Sequence, residues 1–264
     1  MKRWKESGGR TALLIDGARR VGKSYLAEAF ARSEYRSYIL IDFNIVGNEV
    51  KKLFNDHLDN LDTFYRYLSA LFGVKLYERE SVIVLDEVQL FPRARAAIKY
   101  FVQDGRYDFI ETGSLMSVPG NIQDIVIPSE ERHKKLYPLT FAEFLEAQGD
   151  DMLMPLIQDC FFGQRPMGEA LHRKAMDQFR RYMVTGGMPQ AVQAYIDGRD
   201  FEEIDEVKRD ILSLYRADIA KFAGRCAGKA RSIFVELPAQ LRKREKKFCL
   251  RSLNKTARFR EYEI

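Results

Sequence analysis

Residues 17–24 form a glycine-rich segment that restricts the folds open to this chain. They read Gly-Ala-Arg-Arg-Val-Gly-Lys-Ser, which is a complete G-x-x-x-x-G-K-[ST] phosphate loop. Such a loop works between a buried strand and a helix, because its N–H groups face the phosphates and the helix N-terminus adds positive potential. An apolar run at residues 12–15 precedes the loop, and a helix-forming stretch follows it. The sequence therefore predicts an α/β fold that binds a nucleoside triphosphate.

The residue types within this loop indicate separate tasks. Gly17 and Gly22 permit backbone angles closed to other residues and let the chain approach the phosphates. Lys23 supplies a point charge for the β and γ phosphates, and the Ser24 hydroxyl is placed to bind Mg²⁺. The two arginines occupy free positions, where a solvated side chain is a simpler interpretation than a phosphate contact. The residues assigned to nucleotide binding are Gly17, Ala18, Arg19, Arg20, Val21, Gly22, Lys23 and Ser24.

An acidic pair, Asp86 and Glu87, follows a second apolar run at residues 82–85. Four consecutive apolar residues are typical of a strand buried on both faces in a parallel sheet. Ligands bind at the carboxyl ends of such strands. We therefore expect Asp86 to hold Mg²⁺ and Glu87 to orient and deprotonate the attacking water. The alternative, a pair of carboxylates that cap a helix, is less consistent with the upstream phosphate loop.

Five separated segments, in this order and spacing, resemble one group of ATPases. They read LIDGARRVGKS at 14–24, LDEVQ at 85–89, TGS at 112–114, YPLTFAEFL at 137–145 and GGMPQAV at 186–192. The chain is similar to AAA+ superfamily ATPases of a bacterial and archaeal group that couple a phosphate-loop domain to a C-terminal domain of unknown function. The resemblance spans nearly the whole chain, and the fourth and fifth segments are the most specific to the group.

The resemblance implies a fold and a domain order. We expect a five-stranded parallel sheet flanked by helices, of the AAA+ P-loop NTPase type, followed by a helical lid and a winged-helix segment. Residues 1–140 are assigned to the ATPase core, 141–222 to the lid and 223–264 to a basic, incomplete winged-helix-like segment. We also expect the group's further C-terminal domain, which is similar to restriction-endonuclease folds, to be missing from this chain.

Two more catalytic candidates follow from the resemblance. Related ATPases carry a polar sensor of the γ phosphate at the end of a strand, which corresponds here to Thr112, with Ser114 as the next candidate. A turn closed by Gly113, with a hydroxyl that satisfies the backbone, is an equally good interpretation. Many AAA+ enzymes also use an arginine from a neighbouring subunit, which would require a homo-oligomer. Arg132, ahead of a predicted strand at 135–139, is the candidate, although a salt bridge to a neighbouring glutamate explains it more simply.

Charge is distributed unevenly along the chain. The net charge is +5, yet residues 221–264 hold 13 Lys or Arg against 4 Asp or Glu. This basic tail, which includes Arg242, Lys243, Arg244, Lys246 and Lys247, could contact nucleic-acid phosphates. A solvated segment that packs against another domain is the favoured alternative. No apolar run approaches the roughly 20 residues that span a bilayer, and no signal-peptide pattern opens the chain, so we expect no membrane partner and a cytoplasmic protein.

The sequence as a whole favours an ATP-binding protein that acts as an Mg²⁺-dependent AAA+ ATPase and nucleotide-driven switch, with a link to DNA as an option. The preference for ATP over GTP rests on the resemblance. Two alternatives stay open. A P-loop kinase of a small molecule or polynucleotide end would use the same loop, with Asp42 at a strand end as the base. A non-catalytic fragment would bind ATP without turnover.

Overall fold

A parallel β-sheet forms the centre of the first of two structural units in the computed structural model, which describes residues 1–114, 130–243, 247–254 and 258–262. The units are Met1–Val192 and Gln193–Ile264. The strands are β1 (Ala12–Gly17), β2 (Ser37–Asp42), β3 (Ser81–Asp86), β4 (Asp108–Gly113) and β5 (Glu131–Leu136). The helices up to the sheet's last strand are α1 (Lys2–Lys5), α2 (Lys23–Glu34), α3 (Asn48–Asp56), α4 (Leu61–Phe72) and α5 (Pro92–Asp104).

The sheet has the strand order β2-β3-β4-β1-β5, and every neighbouring pair is parallel. β3 and β4 are buried along their whole length, as the apolar sequence of β3 predicts, although β4 also buries the polar residues Asp108, Glu111 and Thr112. Parallel neighbours need a crossover connection, and helices supply it between successive strands from β1 to β4. The predicted α/β class, with a five-stranded parallel sheet flanked by helices, is confirmed.

Two apolar layers cover the faces of this sheet. Side chains alternate along each strand, so that neighbouring residues such as Leu13 and Leu14 belong to opposite layers. One layer packs against α2 and includes Val82, Val84 and Ile110. The other packs against α3, α4 and α5; its strand residues are Ala12, Leu14, Ile39, Ile41, Ile83, Leu85 and Phe109. Burial on both faces fixes the register of the strands, because a one-residue slip would exchange the two sets.

Strand β5 begins earlier than the sequence indicated. The predicted strand at 135–139 is wrong, since β5 spans Glu131–Leu136 and pairs with β1 along its whole length. Its sequence, ERHKKL, lacks the apolar pattern of the other strands because β5 lies at the edge of the sheet and four of its residues are exposed. Charged edge strands are common, since the charge discourages pairing with another chain.

Helices make up the rest of the first unit and the described part of the second. They are α6 (Phe141–Ala147), α7 (Leu153–Phe162), α8 (Glu169–Thr185), α9 (Pro189–Ile196), α10 (Phe201–Phe222) and α11 (Ala227–Arg242). Capping boxes start α6, at Thr140 and Glu143, and α10, at Asp200 and Glu203. In the second unit, α10 and α11 pack on each other, with the rings of Tyr215 and Phe234 stacked at 6.4 Å.

The basic tail is described only in part. Arg242, Lys243 and Lys247 lie within the described residues, whereas Arg244 and Lys246 lie outside them. The described residues after α11 form two short 3₁₀ turns, Leu250–Ser252 and Phe259–Glu261. Within the described ranges, no helix is long and apolar enough to cross a membrane.

A glycine pair joins the helices to the end of the sheet. Gly186 ends α8 with φ +80°, which favours glycine. The next residue, Gly187, accepts a 2.7 Å hydrogen bond from the N–H of Leu139. The Tyr182 hydroxyl donates to the carbonyl of the same Leu139 at 2.8 Å. These contacts fix the turn before α9 against the segment that follows β5.

We predict that Gly187→Ala destabilises the protein. A Cβ at this position would lie 2.2 Å from the carbonyl oxygen of Leu139, so the backbone would have to move, at a cost of about 1–3 kcal/mol or more. Urea or thermal unfolding measures this cost. Gly228→Ala is the control, because a Cβ there meets open space and alanine is the better helix former. Equal stability of Gly187→Ala and the unaltered protein would contradict the contact.

A buried charge cluster lies between the sheet and α5. Arg95 donates two hydrogen bonds to Glu131, Nε to Oε1 at 2.9 Å and Nη2 to Oε2 at 2.8 Å, and both side chains are almost fully buried. Glu111, fully buried on β4, has no hydrogen-bond partner for either carboxyl oxygen among the described residues. Burial, together with the negative charge of Glu131, raises the pKa of Glu111 well above its usual value of 4.5, and Arg95 opposes this rise. The folded protein therefore favours the protonated, neutral form of Glu111 more strongly than the unfolded chain does.

We predict that Glu111→Gln stabilises the protein increasingly as the pH rises. The folded protein keeps the Glu111 proton above pH 4.5 while the unfolded chain releases it, so the unaltered protein loses stability from pH 4.5 up to the raised pKa. Glutamine is isosteric with the protonated acid and removes this loss. Urea unfolding from pH 5 to 8 tests the difference, with Glu78→Gln at an exposed site as the control. Parallel stability curves for Glu111→Gln and the unaltered protein would refute the raised pKa of Glu111.

Candidate nucleotide-binding site

The phosphate loop connects β1 to α2, as the sequence predicted. Gly22 lies immediately before α2 with φ +91°, a left-handed conformation that glycine adopts without strain. Arg20 is also left-handed, with φ +67°, and its side chain is exposed. Val21 is buried beneath the loop. The helix N-terminus and the loop therefore stand in the arrangement that binds phosphate.

Gly17 is needed for a different reason from the one the sequence suggested. Its φ lies outside the left-handed region, so the expected role in backbone freedom is wrong for this residue. A Cβ on Gly17 would instead lie 2.3 Å from the carbonyl oxygen of Leu136 at the end of β5. The first glycine of the loop thus permits close packing of β1 against β5.

Lys23 is the first residue of α2 and is 4% exposed. Its ammonium group donates to the carbonyl oxygens of Gly17 at 3.2 Å and Ala18 at 2.9 Å, and so lies inside the curve of the loop. Burial lowers the pKa of Lys23, and the nearby carboxylates of Glu87, Asp16 and Asp86 oppose that effect. A buried ammonium group that is bound by two loop carbonyls is suited to a phosphate, whose negative charge would compensate for the water that the ammonium group has lost.

Asp86 joins the phosphate loop to β3. Its Oδ1 accepts a 2.7 Å hydrogen bond from the hydroxyl of Ser24 and a second one from the hydroxyl of Thr112. Burial raises the pKa of Asp86, and these two hydrogen bonds counteract the rise. The donor set fits Mg²⁺, because a hydroxyl and a carboxylate oxygen already converge and a cation would favour the buried carboxylate. The structure thus brings together Ser24 and Asp86, the two residues predicted to bind the metal.

Glu87 follows β3 in a left-handed conformation, with φ +53°. Its N–H donates to Thr112 Oγ1 at 3.2 Å, and its carboxylate Oε2 accepts from the Ser114 hydroxyl at 3.0 Å. The side-chain amide of Gln89 donates to the same Oε2. Gln89 has no separate role in the motif, and its position two residues after Glu87, at a strand end, is the local signal in the sequence for this contact.

The structure does not bring Arg132 to the loop of its own chain. Arg132 pairs with Leu13 near the start of β1, whereas the phosphate loop follows the end of that strand. Its exposed side chain lies on the edge strand β5. The neighbouring Glu131 pairs with Arg95 and lies 3.0 Å from His133 Nε2. Within the described residues, the expected salt bridge from Arg132 to Glu130 or Glu131 is not formed.

The start of α9 lies beside the phosphate loop. A Cβ on Gly22 would lie 3.8 Å from Pro189 Cγ, which is an ordinary van der Waals distance. The glycine pair Gly186 and Gly187 comes directly before Met188 and Pro189. The contact places the turn between α8 and α9 next to the phosphate-binding residues.

Comparisons with known proteins agree with this arrangement. The family model described as an AAA domain matches residues 9–145, and a domain of unknown function, DUF8612, matches residues 176–263. Uncharacterized protein MJ1637 of Methanocaldococcus jannaschii is 23% identical over 197 residues, which covers 71% of this chain and 40% of the relative. This chain therefore spans well under half the length of that relative.

Two solved structures show low similarity to the chain. Caenorhabditis elegans PCH-2 is 16% identical with a TM-score of 0.30, over 58% of this chain and 39% of the other. The Hef helicase domain of Pyrococcus furiosus is 12% identical with a TM-score of 0.26, over 91% of this chain and 65% of the other.

We predict that Lys23→Met weakens ATP binding by at least about 30-fold, because truncating one partner of a buried charge pair costs roughly 2–5 kcal/mol. The same change should not lower the unfolding temperature, since burial already disfavours the charge of Lys23. Fluorescent-nucleotide titration and thermal unfolding measure the two effects. Lys52→Met, at an exposed position of α3, is the control and should leave both unchanged. Unchanged ATP affinity in Lys23→Met would rule out the phosphate contact.

Proposed function

Since the chain belongs to the AAA domain family of P-loop ATPases, we propose that it hydrolyses ATP in a Mg²⁺-dependent reaction and acts as a nucleotide-driven switch. The observation that carries the proposal is the 2.7 Å hydrogen bond from Ser24 Oγ to Asp86 Oδ1, beside the buried Lys23. A phosphate-binding loop and a carboxylate from another strand meet there in the way that nucleotide hydrolysis requires.

Each residue of the site has a proposed task. The loop N–H groups and Lys23 bind the β and γ phosphates, and Ser24 and Asp86 would hold Mg²⁺, which neutralises charge on the phosphate oxygens when bound. Glu87 takes a proton from water as the water oxygen attacks the γ phosphorus and the bond to ADP breaks. Thr112 contacts both Asp86 and the backbone N–H of Glu87, which supports its assignment as the sensor of the γ phosphate.

Self-association and a nucleic-acid partner belong to the proposal as well. Arg132 is exposed on an edge strand, where the side chain is accessible to the active site of another copy. The basic tail supports a contact with nucleic-acid phosphates. For the domain order we propose a core of residues 1–140, a lid of 141–222 and a basic segment of 223–264; β5 ends before the lid, and α6 begins it.

We predict that Glu87→Gln keeps ATP binding and lowers turnover by about 100-fold or more, the usual contribution of a general base. ADP release from Mg-ATP measures turnover, and nucleotide titration measures binding. Glu80→Gln, at the opposite end of β3, is the matched control and should have normal turnover. Undiminished ADP release by Glu87→Gln would exclude Glu87 as the base.

Two further arms of this assay test the partner and the alternatives. Faster turnover with duplex DNA, with an effect that weakens as salt rises, would support the nucleic-acid partner. An ADP yield that depends on an added acceptor would instead identify a kinase. In that case Asp42, at the end of β2 beside Asp86, would be the base. Tight ATP binding without turnover would identify a non-catalytic binding module.

A further inference from the structure

We infer that Gln89 is a positioning residue for Glu87 and for the water that attacks the γ phosphate. The inference rests on the proposed ATPase function and assigns a side chain that has no catalytic role so far. Gln89 lies in the 3₁₀ turn Val88–Leu90, directly after Glu87, and is half-buried. Three features of this turn support the role: its hydrogen bonds, its backbone conformation and an unpaired oxygen.

Two donors hold one oxygen of the Glu87 carboxylate. The Gln89 amide nitrogen Nε2 and the Ser114 hydroxyl both donate to Glu87 Oε2, and Nε2 also lies 3.4 Å from Ser114 Oγ. The donors come from different parts of the fold, one after β3 and one after β4. Among the described residues, no hydrogen bond engages the other oxygen, Oε1. The carboxylate is therefore oriented through Oε2 and keeps Oε1 available to accept a proton from water.

The backbone of Glu87 makes this contact feasible. A non-glycine residue with φ +53° is strained, and such strain is usual where the surrounding structure enforces it at a functional site. Thr112 Oγ1 binds the Glu87 N–H, and the Glu87 carbonyl accepts from Leu90 N–H at 2.9 Å. The left-handed residue reverses the chain, so the side chain of Gln89 returns to the residue two positions before it.

The carbonyl oxygen of the Gln89 amide supplies the third feature. Oε1 of Gln89 is buried and has no hydrogen-bond partner among the described residues. The opposite orientation of the amide would turn this oxygen towards the Glu87 carboxylate, where two acceptors would repel. A buried, unpaired acceptor beside the base is suited to one hydrogen of a water molecule, while Glu87 accepts the other. Gln89 thus orients both partners of the proton transfer.

The variant Gln89→Met tests this role, because methionine matches the length of glutamine and lacks its donor and acceptor. We expect kcat for ATP hydrolysis to fall by about tenfold or more, as the loss of an aligned hydrogen bond predicts. The dissociation constant for ATP should stay within about twofold of that of the unaltered protein. The thermal unfolding midpoint should stay within a few degrees. Gln148→Met is the control; its amide donates to the carbonyl of Phe144 on α6 at 3.0 Å, and kcat should not change.

A double variant separates positioning from a structural effect. In the Glu87→Gln background, Gln89→Met should cause a smaller loss of turnover than in the unaltered protein, because no base is left for Gln89 to orient. Unchanged or faster turnover in Gln89→Met, beside an active unaltered protein, would overturn this inference alone. An equal loss in both backgrounds would also overturn it. Absence of turnover in the unaltered protein would overturn the proposed ATPase function together with this inference.

Discussion

The common direction of the five strands is the constraint on which the site depends. Parallel strands end at one edge, and apolar burial on both faces prevents the strands from slipping. β4 lies between β1 and β3, so the phosphate loop and Asp86 are separated by one strand. Thr112, on β4, fills this gap with a hydroxyl that contacts both Asp86 and Glu87. The spacing of the catalytic groups is thus a property of the sheet.

Sequence patterns were sufficient for features that depend on local chemistry. The phosphate loop, the apolar strands and the acidic pair Asp86 and Glu87 carry their own signals, and the parallel sheet follows from them. Contacts between distant elements could not be predicted in this way. The role of Gly17 depends on a carbonyl of β5, and that of Gln89 depends on the left-handed turn at Glu87. β5 itself was misplaced because an edge strand needs no apolar alternation.

A buried ion pair between Arg95 and Glu131 holds the charged strand β5 in the sheet. Glu131, the first residue of β5, is anchored to α5 through Nε and Nη2 of Arg95, while the next four residues are exposed to solvent. The other end of β5 meets the phosphate loop at Gly17. The pair therefore acts on the nucleotide site indirectly, because it fixes the strand against which the loop packs. Breaking one partner of such a pair leaves an uncompensated buried charge.

Contacts at Gly17, Leu139 and Pro189 connect both ends of the phosphate loop to the segments that follow β5 and α8. Gly17 abuts the end of β5, the following segment binds Gly187 through Leu139, and Pro189 lies against Gly22. The loop is therefore clamped at its first glycine and again at its last. A displacement of the turn between α8 and α9 would therefore disturb contacts near both ends of the loop, at Gly17 through the end of β5 and at Gly22 through Pro189.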